Sequence, residues 1–185
     1  MSTSPRIILL NGVGSAGKGS IARALQTITR EPFLHVAMDA FLEMLPENLW
    51  GHPDGIIFET LRDGGKPSVA IRSGPAAERL LRGMRHAIAA MARQGNNLIV
   101  DDVLLDGGNA AYDAALAGLE VARVGVLAPL EVLEAREAAR GDRMIGLARW
   151  QYERVHKDMT YDLTVDTSRA TAMACAEMIR SKFGL

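Results

Sequence analysis

Residues 6–20 read R-I-I-L-L-N-G-V-G-S-A-G-K-G-S. The apolar, β-branched run at 6–11 ends in a cluster of glycines, which predicts a buried strand of a parallel sheet. Gly12 to Lys18 then match the pattern G-x-x-x-x-G-K, and a run with helical spacing begins directly after them. A strand, a glycine-rich loop and a helix in this order predict a loop that binds phosphate groups.

Each part of this loop suits an anion for a separate physical reason. Glycines let the backbone curl so that successive N–H groups point inward, and the helix N-terminus adds partial positive charge. Lys18 adds a mobile point charge for the β- and γ-phosphates of a nucleoside triphosphate. The predicted nucleotide-binding residues are Gly12, Val13, Gly14, Ser15, Ala16, Gly17, Lys18, Gly19 and Ser20.

The residue after the lysine departs from the usual pattern. A Ser or Thr normally stands there and its hydroxyl binds Mg²⁺, whereas this chain has Gly19 followed by Ser20. A Gly-Lys-Gly-Ser/Thr ending resembles the loops of nucleoside monophosphate kinases. We therefore predict Ser20 as the magnesium ligand, with waters completing the shell.

The rest of the chain alternates between short apolar runs and helical patterns, without an internal repeat or a linker. This alternation predicts one doubly wound α/β domain over residues 1–185, with three layers: a central five-stranded parallel sheet and helices on both faces. Residues 46–75 carry scattered Pro and Gly and predict a long loop or a small hairpin, inserted on the acceptor side. The predicted strands are 6–11, 33–38, 97–105, 120–128 and 163–165, and the predicted helices are 18–30, 39–45, 76–93, 109–117, 129–140, 145–158 and 169–183.

Composition excludes several classes of protein. The formal net charge is -1, so there is no global basic field to hold nucleic acid or an anionic membrane. The single cysteine, Cys175, indicates a reducing compartment and a small buried side chain. No apolar stretch has membrane-spanning length and residues 1–5 lack the shape of a signal peptide, so we expect a cytoplasmic protein. The oligomeric state stays open, with a homo-oligomer among the options.

Aspartates stand where two predicted strands end. Asp101 and Asp102 follow L-I-V, where a P-loop enzyme carries a second carboxylate for Mg²⁺. Their side chains point to opposite faces of the strand, so we predict that one serves the metal, without ranking them. Asp39 is interpreted either as a helix N-cap or as the general base that accepts the proton of an attacking hydroxyl.

Arginines cluster late in the chain. Arg136 and Arg140 are four residues apart on a predicted helix, and Arg143 follows Gly141. This pattern predicts a lid over residues 136–148 that neutralises charge on the transferred phosphoryl group. The alternative is a solvated helix face with ion pairs to Glu131, Glu134 and Glu137.

Weaker candidates lie elsewhere in the sequence. Asp166 and Thr167 end the last strand, where they contact the base of the nucleotide or simply cap the next helix. Trp50 and Phe58 either line an acceptor pocket or anchor the insert. His156 is interpreted as a surface or packing histidine.

Taken together, these segments resemble the chloramphenicol phosphotransferase-like P-loop kinases, nearly end to end. The resemblance implies ATP- and Mg²⁺-dependent phosphorylation of a hydroxyl on a small molecule, as in chloramphenicol 3-O-phosphotransferase. It also implies that Asp39 is the catalytic base, that Lys18 binds phosphate, and that the lid arginines are Arg136, Arg140 and Arg143. The segments that carry it are I-I-L-L-N-G-x-G-S-A-G-K, the strand end at Asp39 with Pro46, G-I-I-F (55–58), S-G-P (73–75), A-M-A-R-Q-G (90–95), I-V-D-D-V (99–103), E-A-A-R-G-D-R (137–143), V-H (155–156) and Y-D-L-T-V-D-T (161–167).

Two other functions remain open at the level of sequence. A metabolic kinase of the nucleotide or shikimate type would need a basic acceptor pocket, for which Arg62, Lys66 and Arg72 are available. A nucleotide-binding module without transfer activity is the second alternative. The absence of an N-K-x-D motif counts against a GTPase switch.

Overall fold

A computed structural model describes residues 6–62, 65–105, 108–141 and 144–185. The strands are β1 (Arg6–Asn11), β2 (Phe33–Ala37), β3 (Ile56–Leu61), β4 (Ser68–Ser73), β5 (Asn97–Asp102), β6 (Glu120–Leu127) and β7 (Leu163–Asp166). The helices are α1 (Lys18–Ile28), α2 (Met38–Leu42), α3 (Pro75–Arg93), α4 (Gly108–Ala115), α5 (Leu130–Arg140), α6 (Leu147–Tyr152) and α7 (Ala172–Phe183), with a 3₁₀ turn at Glu47–Leu49.

The central sheet is parallel and has five strands in the order β2-β5-β1-β6-β7. This confirms the fold predicted from the alternating pattern. The strand that precedes the phosphate-binding loop, β1, lies in the middle of the sheet. Because ligands bind beyond the carboxyl ends of parallel strands, this order places the loop between the ends of β5 and β6.

The alternation of side chains along β1 builds two separate cores. Ile8 and Leu10 are buried with residues of α1 and α7 on one face. Ile7 and Leu9 are buried with residues of α3 and α4 on the other. An almost continuous apolar strand is therefore what a sheet covered on both faces requires. Cys175 is buried in the first of these cores, as predicted.

The insert at 46–75 contains a hairpin, one of the two structures that its sequence left open. β3 and β4 pair antiparallel as a two-stranded sheet of their own. The Val69 N–H of β4 donates to the Gly146 carbonyl at 2.9 Å. Gly146 has φ 103°, and a Cβ there would lie 2.6 Å from the Pro67 carbonyl oxygen. The hairpin therefore packs directly against the residue that precedes α6.

The length predicted for the helix at 145–158 is wrong. α6 covers only Leu147–Tyr152, and turns follow it to Asp158, where φ is 56°. Within these turns the Val155 carbonyl accepts from Asn11 Nδ2 at 2.8 Å, which ties the segment to the end of β1. Likewise, α2 ends at Leu42 rather than Leu45. No helix within the described ranges is long and apolar enough to cross a membrane.

Candidate active site

The loop between β1 and α1 has a backbone that turns back on itself. Ser15 and Gly17 have φ values of 64° and 90°, and the Ala16 N–H donates to the Val13 carbonyl at 3.1 Å. Left-handed residues in alternate positions turn successive N–H groups toward a common centre. A Cβ on Gly12 would lie 2.4 Å from the Val126 carbonyl oxygen, so β6 leaves no room for a side chain there. The loop thus has the shape that anion binding requires.

Lys18 reaches back across this loop instead of extending into solvent. Its side chain is 7% exposed, and Nζ donates to the Gly12 and Val13 carbonyls at 2.9 and 3.1 Å. Asp101 Oδ1 lies 3.7 Å from the same nitrogen. These contacts hold a positive charge at the beginning of the loop, where the outer phosphates of a nucleotide would need it.

Asp101 and Ser20 carry side-chain oxygens of the kind that Mg²⁺ prefers as ligands. Both residues line the cleft that contains Lys18. Gly19 makes room for this carboxylate, since a Cβ there would lie 3.3 Å from Asp101 Oδ2. His35 Nε2 lies 3.6 Å from Asp101 Oδ2, is buried, and has no hydrogen-bond partner among the described residues. Such a nitrogen beside a carboxylate fits a site where water molecules bound to a cation would supply its missing hydrogen bond.

Asp102 lies on the opposite face of β5 and has different partners. One of its oxygens accepts from the Tyr112 hydroxyl at 2.7 Å, and the other accepts from the Val103 N–H at 2.7 Å. Burial raises the pKa of Asp102, which is 3% exposed. The two aspartates that sequence could not rank therefore differ: Asp101 lies beside Lys18, while Asp102, which also lines the cleft, is bound to Tyr112 of α4.

Asp39 lines the same cleft as the loop, which has a volume of about 630 Å³. It lies in the first turn of α2, and the N-cap of that helix is Ala37, without a side-chain cap. The N-cap interpretation of Asp39 is therefore wrong. An exposed carboxylate in a cleft with Lys18 and Asp101 has the placement that a general base requires.

Apolar side chains from the insert form another part of the cleft wall. The rings of Trp50 and Phe58 are stacked, with centroids 6.3 Å apart and planes 5° apart, and both line the cleft. Other apolar residues that line it are Ala37, Met38, Leu42, Ile71, Val103, Met144 and Leu147. This wall offers a stacking surface to a flat ring.

The basic residues of the insert do not contribute to this wall. Arg72 pairs with Glu59 at 2.9 Å, and Lys66 pairs with Glu134 at 3.2 Å. Neither they nor Arg62 line the cleft. Within the described part of the chain, the Lys and Arg residues that do line it are Lys18, Arg23 and Arg140.

The predicted lid arginines have different positions. Arg140 lines the cleft. Arg136 donates instead to the Thr167 hydroxyl and carbonyl at 2.9 and 2.8 Å, and that hydroxyl donates to the Ala16 carbonyl at 2.9 Å. Arg136 and Thr167 thus support the loop from the side of β7. Arg143 lies outside the described residues.

Asp166, the other residue predicted at the nucleotide base, accepts hydrogen bonds within its own turn. Its Oδ1 accepts from the Ser168 N–H and hydroxyl at 2.9 and 2.6 Å. These bonds lower the pKa of Asp166. The side chain shapes the end of β7 next to Thr167.

Comparison with known proteins places this geometry in a family. The model of the chloramphenicol phosphotransferase-like proteins matches residues 5–184. The chain belongs to this family. The membership confirms the resemblance found in the sequence, and with it the prediction of a small-molecule kinase, a phosphotransferase that acts on an alcohol group.

A relative in this family comes from Mycobacterium tuberculosis strain H37Rv and is named "Putative O-phosphotransferase". It is 30% identical to this chain, and the alignment covers 96% of this chain and 82% of the relative. A protein of the same name from M. tuberculosis strain CDC 1551 matches equally well.

Solved structures share the fold of this family member. A sugar kinase from Janibacter sp. HTCC2649 superposes with a TM-score of 0.67 at 18% identity, covering 98% of this chain and 95% of that one. The M. tuberculosis APS kinase in complex with AMPPNP and APS gives a TM-score of 0.67 at 16% identity, covering 98% and 99%. A gluconokinase from Sinorhizobium meliloti gives 0.61 at 19% identity, covering 98% and 97%. At these identities the similarity establishes the P-loop kinase fold.

Sequence reasoning missed a hydrogen-bond network behind the loop of this family member. Asn11 Nδ2 donates to the Tyr161 hydroxyl at 2.7 Å, and that oxygen lies 2.7 Å from His156 Nδ1. Burial, with the charge of Lys18 as a smaller cause, lowers the pKa of His156. The packing interpretation of His156 agrees with this. The sequence signal for this network is Asn11, a polar residue at the end of the apolar strand β1.

The interpretation of Glu137 as an ion-pair partner on a solvated face is wrong. Glu137 is 3% exposed, and its two oxygens accept from the Gly146 and Ala148 N–H groups at 2.8 and 2.7 Å. A carboxylate of α5 therefore fixes the beginning of α6. Nothing in the local sequence distinguishes it from Glu131, which is exposed on the same helix.

We expect Glu137→Ala to lower the free energy of unfolding by about 3 kcal/mol, because two buried N–H groups lose a charged acceptor. Urea denaturation measures this quantity. Glu131→Ala is the matched control and is expected to cost less than about 1 kcal/mol. Equal losses in the two variants would show that the Glu137 contacts contribute nothing.

Proposed function

We propose that this protein transfers the γ-phosphoryl group of ATP, bound with Mg²⁺, to a hydroxyl of an uncharged, ring-bearing small molecule. The observation that carries the proposal is the shared cleft. One cleft is lined by the loop and Lys18, by Asp39, and by the stacked Trp50 and Phe58. The residues that we propose for phosphate binding, for the base and for the acceptor wall therefore line one cleft.

In the proposed mechanism, the loop amides and Lys18 hold the phosphates in place. Asp39 accepts the proton of the acceptor hydroxyl as its oxygen bonds to the γ-phosphorus, and the bond to the β,γ-bridging oxygen breaks to release ADP. Arg140 offsets the negative charge that spreads over the transferring group. Positioning and electrostatics supply most of the rate enhancement.

Ser20 and Asp101 are the residues that would hold Mg²⁺. The ion would neutralise charge on the nucleotide phosphates, as in other P-loop enzymes. Among the described residues, no group of three or more His, Cys, Asp or Glu side chains could enclose a metal. Phosphate oxygens and water would then supply most of its ligands, which is usual for Mg²⁺ at phosphate-transfer sites.

The nature of the cleft favours an uncharged acceptor over the anionic acceptors of nucleotide or shikimate kinases. The insert contributes aromatic and aliphatic side chains to the cleft, while its arginine and lysine residues lie outside it. An anionic acceptor against this apolar wall would lose its hydration without gaining a cationic partner from the insert. Chloramphenicol, which is uncharged and carries an aromatic ring, is the first compound to test.

A phosphoryl-transfer screen tests this proposal. The protein is incubated with γ-labelled ATP and Mg²⁺ in the presence of chloramphenicol, an aminoglycoside, nucleosides or shikimate, and labelled products are separated. We expect label on an uncharged ring-bearing alcohol. Label only on an anionic acceptor would favour a metabolic kinase, and tight ATP binding without any transfer would favour a nucleotide-binding module.

A further inference from the structure

Gln151 is a buried polar residue in the wall of the cleft, and sequence reasoning did not select it. Its side chain is 3% exposed, and it lies near the end of α6, five residues after Gly146. Buried glutamines are uncommon unless their amide groups have partners. Each end of this carboxamide therefore needs an explanation.

The oxygen end of the amide is bound to the phosphate loop. Gln151 Oε1 accepts from the Gly14 N–H at 2.7 Å. Because a backbone N–H can only donate, the atom that faces it must be the oxygen, which fixes the orientation of the amide. The Nε2 group, with its two N–H donors, consequently points away from Gly14.

The nitrogen end has no acceptor in the described part of the chain. Within the described residues, the side chain of Gln151 makes only the hydrogen bond to Gly14, and its Nε2 atom is not fully buried. It therefore remains accessible from the cleft that Gln151 lines. Two donors are thus available to a group that enters the cleft.

The neighbours of Gly14 indicate which chemical group would accept hydrogen bonds from Gln151 Nε2. Lys18 Nζ is bound to the carbonyls of Gly12 and Val13, directly before Gly14. In a P-loop this lysine contacts the β- and γ-phosphates. A donor fixed on Gly14 therefore lies beside the outer end of the triphosphate, on the side of the transferring group.

We propose that Gln151 binds the γ-phosphate through Nε2, with Oε1 held by the Gly14 N–H, so that the protein distinguishes ATP from ADP. This inference rests on the proposed function. An amide donor at this position contacts an oxygen of the γ-phosphate, which ATP has and ADP lacks.

Gln151→Glu separates the two ends of the amide. The variant keeps an oxygen for Gly14 but replaces the Nε2 donors with a negatively charged oxygen. Dissociation constants for AMPPNP and for ADP, each with Mg²⁺, are measured by calorimetry. We expect the ratio of the AMPPNP constant to the ADP constant to rise about tenfold, which corresponds to about 1.4 kcal/mol.

Gln94→Glu is the matched control. Gln94 is exposed at the end of α3, just before β5 begins. It therefore lies near the amino ends of the parallel strands, whereas the loop lies at their carboxyl ends. The same charge change there should leave the ratio unaltered. If Gln151→Glu does not fold, Gln151→Met removes the donors and also the oxygen that binds Gly14, at similar volume, and a rise in the ratio is still expected.

An unchanged ratio in the Gln151 variants, with both nucleotides weakened equally or not at all, would overturn the inference and leave the proposed function intact. If the wild-type protein bound neither AMPPNP nor ADP, the proposed function itself would fail, and this inference with it.

Discussion

Asp39→Asn is expected to lower the turnover number by about 10²–10⁴-fold, the range that general base catalysis contributes. The amide keeps the size of the side chain in the first turn of α2 but cannot accept the hydroxyl proton. Asp39 lines the cleft without belonging to the loop, so ATP affinity should change by less than about twofold. Steady-state kinetics with an acceptor from the screen, together with calorimetry for ATP, measure both quantities.

Glu47→Gln provides the control for Asp39. It removes one negative charge from the exposed 3₁₀ turn that follows α2, and Glu47 does not line the cleft. Turnover in this variant should match the wild type. An Asp39→Asn protein with wild-type turnover would exclude Asp39 as the base and would direct attention to a base supplied by the acceptor or by water.

Lys18→Met is expected to lower kcat/KM by about 10²–10³-fold, as removal of one stabilising donor does in other enzymes. Methionine has similar length but no charge, and it cannot donate to the Gly12 and Val13 carbonyls. The variant therefore removes the proposed electrostatic contact with the phosphates and also the two bonds at the beginning of the loop. Nucleotide affinity and kcat should both fall, in contrast to Asp39→Asn.

Lys182→Met tests whether loss of any lysine has this effect. Lys182 is exposed near the end of α7. Its replacement should leave the kinetics unchanged. If Lys18→Met retained full nucleotide affinity and activity, the loop would not be the phosphate site, and the proposed function would have to be abandoned.

The features that sequence predicts well are those set by local pattern. The strand, loop and helix at 6–28 follow from apolar periodicity and glycine spacing, and strand alternation separates Asp101 from Asp102. The features that it misses depend on contacts between distant parts of the chain. Gln151 meets Gly14 across 137 residues, and a glutamine on a short helix looks like any surface residue.

The arginines illustrate the same limit. Arg136 and Arg140 are four residues apart on α5, so sequence gives them one role. The structure separates them because Thr167, at the end of β7, takes up the guanidinium of Arg136. The different roles of the two arginines therefore depend on the position of β7, which begins at Leu163, 27 residues after Arg136.

The contact between the hairpin and Gly146 restricts how relatives of this enzyme can be re-engineered. Val69 donates to the Gly146 carbonyl, and Lys66 pairs with Glu134 of α5. A hairpin transplanted from another kinase would lack the residues that match α5 and Gly146. Chimeras of this fold should therefore exchange residues 56–73 together with 130–152 as one cassette.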